Sequence, residues 1–157
     1  MCIVIDANVW GCVFETNSAL HNEYKPVYDW IVNGPGFVVY GGTQYNTELK
    51  KAKKYFGVFT ELKKSLKAKI VNTYIVDQEE NRVKRLINSS SCDDTHLIAI
   101  FRASGCRLLC SNDRRADFYI KNKKYYYKRQ KRPLIYRNSS HKSLLNSRNI
   151  VRLRNVI

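Results

Sequence analysis

Acidic residues are scarce in this chain: 13 Asp and Glu stand against 28 Lys and Arg in 157 residues, a formal net charge of +15. Long apolar runs are missing too. No stretch approaches the roughly 18 uncharged residues of a membrane-spanning helix. The apolar start Met1 to Ile5 meets Asp6 at once, without the basic region and longer apolar run of a secretion signal. The expectation is a soluble, cytoplasmic protein, one domain in size, with no membrane partner. The five cysteines Cys2, Cys12, Cys92, Cys106 and Cys110 contain no C-x-x-C pair, which argues against a tetrahedral zinc site and for reduced thiols. Cys106 and Cys110 with His96 could be imagined as a metal site, but buried free cysteine is the plainer reading. His21 and His141 read as lone surface histidines. No Gly-x-x-x-x-Gly-Lys loop is present, so nucleoside triphosphate use is unsupported.

What is there is positive charge. It attracts polyanions, and release of condensed counterions makes such binding salt-sensitive. Without a lipidation signal or a large amphipathic stripe, nucleic acid is the expected partner. Charge alone does not separate an enzyme from a binding module.

The pattern along the chain alternates strands and helices. Cys2-Ile3-Val4-Ile5 suits a strand buried on both faces and ends on Asp6. A helical segment over about 22–32 is interrupted near its start by Pro26. Phe37-Val38-Val39-Tyr40 is the second strand, closed by Gly41-Gly42. Thr43 is placed to cap a helix carrying Tyr45, Leu49, Ala52 and Phe56 inward, ended by Gly57. A second amphipathic helix runs over about 58–69. Asp77 with Glu80 resembles a capping box, opening a helix to about Ile87, and Ser89-Ser90-Ser91 reads as a turn and cap. An apolar helix from Asp94 ends at Gly105, and Arg107 to Ser111 is the third strand. The order is that of an α/β fold with a mainly parallel sheet. Residues 1–120 form the core of this pattern, and 121–157 a basic extension packed on, or continuing, the same domain. Seven of 13 residues between Lys121 and Pro133 are Lys or Arg, around Tyr125-Tyr126-Tyr127. Cations for phosphates and rings for bases fit that composition, as does an edge strand with a packed Tyr face and a solvated Lys face.

The few acids fall at telling places. Asp6 and Asp113 stand at the carboxyl ends of strands, the edge where open α/β sheets bind ligands. Glu48 lies on the helix after the second strand, among Lys50, Lys51 and Lys54. Asp93 and Asp94 open the apolar helix, and Asp117 follows Asp113 by four residues. Each has a structural explanation alone, as cap, turn or ion pair. Carboxylates gathered at strand ends repel one another and call for a cation, and oxygen ligands suit Mg²⁺ or Mn²⁺. Such ions activate water for attack on a phosphodiester without a serine, cysteine or histidine.

Ile5-Asp6-Ala7-Asn8, the stretch from Gly41-Gly42-Thr43 to Glu48-Leu49, Asp94-Thr95-His96-Leu97-Ile98-Ala99 and Cys110-Ser111-Asn112-Asp113 together resemble the PIN-domain nucleases over about residues 1–120. The resemblance implies a three-layer α/β/α sandwich and a Mg²⁺- or Mn²⁺-dependent endoribonuclease. It also implies Asp6, Glu48, Asp94 and Asp113 as metal-binding catalytic carboxylates. Asp93 and Asp117 are additional candidates, with Asn8, Thr43, Ser111 and Asn112 as site support. Lys50, Lys51, Lys54, Arg114, Arg115, Lys123, Lys124, Lys128 and Arg129 are the candidate nucleic-acid contacts. Many prokaryotic relatives are toxins held silent by an antitoxin protein, or defence RNases, and toxin-like relatives often form homodimers. The alternatives are a non-catalytic nucleic-acid-binding module and a member of the same superfamily that cuts DNA. A phosphoryl-transfer enzyme with a nucleophilic Asp fits less well, because Asp6-Ala7-Asn8-Val9-Trp10 lacks the Asp-x-Asp-x-Thr pattern.

Overall fold

The computed structural model describes residues 1–87, 92–146 and 152–157. Strands β1 (Cys2–Ile5), β2 (Phe37–Gly41), β3 (Ala68–Val71), β4 (Leu108–Cys110) and β5 (Leu134–Tyr136) form one parallel sheet in the order β3-β2-β1-β4-β5. Helices α1 (Trp10–Phe14), α2 (His21–Val32), α3 (Thr43–Lys51), α4 (Lys53–Lys64), α5 (Thr73–Ile87), α6 (Thr95–Ser104) and α7 (Asp117–Ile120) flank it, with short 3-10 turns at Ala7–Val9, Lys123–Tyr125 and Ser139–Leu144. The architecture is the α/β/α sandwich expected. Among the described residues no helix is long and apolar enough to cross a membrane.

β1 is the central strand, and Ile3, Val4 and Ile5 are wholly buried. That is what a β-branched run without polar interruption does between two helical layers. β3 and β5 were not expected. Ala68 and Lys69 read as the end of a helix and Ile70 and Val71 were not assigned, while Leu134 to Tyr136 lay within the basic segment. Both are edge strands of three or four residues with little apolar patterning, and pairing to a neighbour, which a linear pattern does not record, makes them strands.

Several helix boundaries differ for identifiable reasons. Pro26 does not interrupt α2. It removes one backbone bond near the helix start, while Tyr24, Val27, Trp30 and Ile31 bury one face of the helix. The break between α3 and α4 falls at Ala52 (φ −89°, ψ 65°), and α4 runs through Gly57, where an added Cβ would meet open space. The turn at Ala52 lets Tyr55 and Phe59 pack edge-on against Trp10, with ring centroids 5.6 Å away in each case.

Thr43 is the first residue of α3 and does not cap it. The capping position is Gly42, whose φ of +86° and close approach to Val76 exclude a side chain. Asp77 supplies the missing acceptor from α5, taking the Thr43 N–H (2.8 Å) and hydroxyl (2.6 Å). Asp77 and Glu80 therefore do not form a capping box. α5 opens four residues earlier, with the Asn72 side chain accepting from the Ile75 N–H, and Glu80 accepts from Thr95 and pairs with Lys84. The Ser89 to Ser91 turn lies outside the described residues.

α6 is buried along its whole length and ends, as expected, on Gly105 in the left-handed conformation (φ +77°). Arg102 near its end joins a buried pair with Glu79 of α5 (2.5 Å); Tyr127 and Arg82 also bond that carboxylate. The basic segment is thereby built into the fold. Tyr125 and Tyr126 are buried, and β5 pairs with β4 along its full length. The five cysteines are free thiols; Cys106 and Cys110 are core side chains, and the Cys106 thiol donates to the Leu108 carbonyl (3.8 Å). His21 is buried rather than exposed, bonding the Cys12 carbonyl.

Candidate active site

The strand order reverses at β1: β2 and β3 lie on one side, β4 and β5 on the other. In a parallel sheet that reversal opens a crevice at the carboxyl ends of the two strands flanking it, because the connections leave in opposite directions. Asp6 stands there after β1, and Ser111 and Asp113 stand there after β4. The Asp6 N–H donates to the Cys110 carbonyl (2.9 Å), which pins the two strand ends together.

Ser111 links the two acids. Its hydroxyl donates to Asp6 Oδ2 (2.7 Å) and accepts from the Asp113 N–H (3.1 Å). Asp6 also caps the Ala7–Val9 turn through the Asn8 N–H (3.4 Å). Burial pushes the Asp6 carboxyl above the usual range, and the Ser111 and Asn8 bonds oppose it. Asn8 thus supports the site with its backbone, and Ser111 with its side chain. Asn112 is exposed, and Thr43 is committed to Asp77.

Glu48 reaches this edge because α3 is tied to the end of β1. Tyr45, one turn before Glu48 and fully buried, donates to the Ile5 carbonyl (2.6 Å), and Trp10 Nε1 donates to the same oxygen (3.2 Å). The carbonyl immediately before Asp6 is therefore fixed by the helix that carries Glu48. Glu48 accepts from Gln44 (3.0 Å) and faces His96, whose Nε2 lies 3.7 Å from Glu48 Oε2. His96 is buried, and neither ring nitrogen has a hydrogen-bond partner. The sequence offered His96 only beside Cys106 and Cys110; its place two residues after Asp94 was the signal that it lies by the carboxylates.

Asp94 precedes α6 but makes no capping hydrogen bond with its side chain. Its structural explanation as a cap is thereby removed. Burial, followed by the charges of Asp6, Asp113 and Glu48, pushes its carboxyl up to about 6, against the opposing effect of His96. Asp93, Asp94 and Asp113 line one small cavity of about 100 Å³ with Cys92, Arg115 and Tyr119. Asp113 is taken up by Arg115, which bonds it through Nε and Nη2 (2.6 Å) and through its backbone N–H (2.8 Å) and holds the carboxyl below its ordinary value. Arg115 itself is 89% exposed. The fork is bidentate, Nε on Oδ1 and Nη2 on Oδ2, so it is firmer than most surface pairs, and anything that binds Asp113 must displace it. Asp117 is engaged by Arg137 and Lys121, outside that cavity.

Among the described residues no group of three or more His, Cys, Asp or Glu is arranged to hold a metal ion. Asp6, Asp113 and Glu48, from three other segments, all act on Asp94; among the described residues Arg115 bonds Asp113 at the surface and His96 lies buried beside Glu48. The expected nucleic-acid contacts divide. Lys50, Lys51 and Arg114 are exposed, Lys54 pairs with Glu15 (2.8 Å), and Arg115 sits on Asp113. Lys123, Lys124, Lys128 and Arg129 are exposed on the segment leading to β5. Compared with known proteins, the chain matches no family model, no curated protein and no solved structure.

Proposed function

We propose that this chain is a metal-dependent endonuclease of the PIN type that hydrolyses phosphodiester bonds, with RNA as its substrate. The observation that carries the reading is the state of Asp94, a half-buried carboxyl free of capping duty and pressed upward by three other acids at the reversal of the sheet. A fold stabilises itself by avoiding such a concentration of like charge, so its presence points to a cation. Asp6, Glu48, Asp94 and Asp113 are the residues that would hold Mg²⁺ or Mn²⁺. When bound, such an ion neutralises the phosphodiester and acidifies water.

The chain's own groups divide the remaining work. Ser111 fixes the Asp6 carboxylate and the Asp113 turn through one hydroxyl. Tyr45 and Trp10 hold the Ile5 carbonyl and with it the direction in which Asp6 leaves the strand. Arg115, released from Asp113, becomes a cation beside the anionic substrate. The test is cleavage of RNA with Mn²⁺ present. Asp6→Asn and Asp113→Asn are expected to lower the rate at least about 100-fold while leaving the fold and RNA affinity intact. Wild-type rates in both variants overturn the assignment. Parallel assays on single-stranded DNA decide between the two polynucleotides.

One observation favours a second reading. Asp113 is already satisfied by Arg115, as in a binding module whose acids are structural. Tight, salt-sensitive RNA binding without Mn²⁺-dependent cleavage is the result that would select it.

A further inference from the structure

A large concave surface lies at the opposite edge of the sheet from the carboxylates. A cleft of about 630 Å³ is walled by the segment from Lys121 to Ile135 and includes Leu134, the first residue of β5. A second, of about 390 Å³, includes Arg107, immediately before β4, and shares Arg129, Gln130 and Lys131 with the first. Leu108 and Leu134 are paired at the amino ends of their strands. The joint cleft is thus separated from Ser111 and Asp113 by the length of β4, about 10–13 Å at a strand's rise.

The lining is one-sided in charge. Arg129, Lys131, Arg132, Arg152 and Arg154 are exposed, and no Asp or Glu lines either part. Among the described residues none of these five cations, nor Arg107, forms an ion pair with a carboxylate, and Arg107 Nε is buried without a hydrogen-bond partner. Gathering unpaired cations in a concave surface raises the energy of the free protein, and an anion relieves it. The Tyr127 ring completes the wall; Arg102 stacks on it at 4.3 Å, and its hydroxyl is held by Glu79.

We propose that this amino-edge cleft binds the phosphodiester backbone of a single-stranded nucleic acid, as a site separate from the carboxylate crevice. The guanidinium forks of Arg107, Arg129 and Arg154 match phosphate oxygens, and the tyrosine offers a flat apolar wall for a base. A protein partner is disfavoured, because interface centres are depleted of charge and built on apolar anchors. A cleft of this kind admits a flexible strand in preference to a stiff duplex. The site goes beyond the cleavage reading and does not depend on it. If both hold, the strand must be long enough to pass from one sheet edge to the other.

The test uses fluorescence anisotropy with labelled oligouridylate and oligothymidylate, with EDTA present so that cleavage plays no part. In the variant Arg129→Gln, Lys131→Gln, Arg154→Gln all three positions are exposed, so the fold is spared. It is expected to lose at least about tenfold in affinity for one or both oligonucleotides. The slope of log affinity against log salt should fall by about 2, from about 0.7 per lost phosphate contact. A control of equal charge change, Lys53→Gln, Lys63→Gln, Arg85→Gln, is expected to lose less than about threefold. The Asp6→Asn protein should bind like the wild type. Equal losses in the two triple variants overturn the proposal, as does failure of the wild-type protein to bind either oligonucleotide. Tighter binding of poly-L-glutamate than of the oligonucleotides also overturns it and assigns the cleft to an acidic protein. Absence of cleavage in separate assays leaves this result standing.

Discussion

At Asp94, burial and the repulsion of three neighbouring carboxylates act in the same direction and bring the carboxyl to about 6. A carboxyl raised in the folded state keeps its proton there longer than in the unfolded chain. Its effect on stability is therefore neutral below about pH 4 and becomes a growing penalty as pH rises from 4 to 6. Asp94→Asn is expected to be more stable than the wild type at pH 7 by about 1–2 kcal/mol after allowance for solvent screening. The two should converge near pH 4. Urea titrations at both pH values, with EDTA present, check this; a variant less stable at pH 7 contradicts it. Tyr45 carries the opposite kind of prediction. Tyr45→Phe removes one of the two side-chain bonds to the Ile5 carbonyl, a cost of about 1 kcal/mol in stability. Its effect on RNA cleavage should exceed its effect on folding, since the bond sets Asp6 and Glu48 relative to each other.

Among the elements, α3 and α5 depend on a contact that neither encodes alone. Asp77→Ala removes the acceptor for the first N–H of α3 and should cost about 1 kcal/mol, read as a lower thermal midpoint. The Glu79 and Arg102 pair between α5 and α6 is buried on both sides, so Glu79→Ala strands a guanidinium and should cost about 3–5 kcal/mol by denaturant unfolding. The same pair explains what sequence could and could not disclose. β1, β2, β4 and α6 were legible because they are buried on all sides and write their burial as unbroken apolar runs. Gly105 marked the end of α6 because only glycine suits that left-handed position. β3 and β5 were not legible, since three or four half-covered residues at a sheet edge carry almost no pattern. The acids at strand ends could be read from position alone. Their mutual repulsion could be anticipated too, but not that it falls on Asp94, nor Arg115 on Asp113 or His96 facing Glu48, which need the strand order.

Across the whole molecule, charge is sorted by edge. The acids that press on one another lie at the carboxyl ends of β1 and β4, and the acid-free clefts lie at the amino ends of β4 and β5. The segment after residue 120 cannot be treated as a removable appendage. It supplies β5, the buried Tyr125 and Tyr126, and Tyr136, whose hydroxyl bonds the Glu23 carbonyl in α2 (2.8 Å). A chain ending at Ile120 would bare the hydrogen-bonding edge of β4 and is expected to aggregate or remain molten. Size-exclusion chromatography and near-ultraviolet circular dichroism check this, and a monodisperse, rigid fragment would contradict it.

The placing of β4 beside β1 also has a consequence in time. Asp6 leaves the ribosome 105 residues ahead of Ser111, whose hydroxyl orients it, and the strand that seals β4 arrives only near residue 134. A growing chain can shape β1, β2 and β3 early, since domains build from the amino end during synthesis. It cannot assemble the crevice until Ser111 and then β5 have emerged. On the proposed function, the unfinished chain is harmless to the messenger that encodes it.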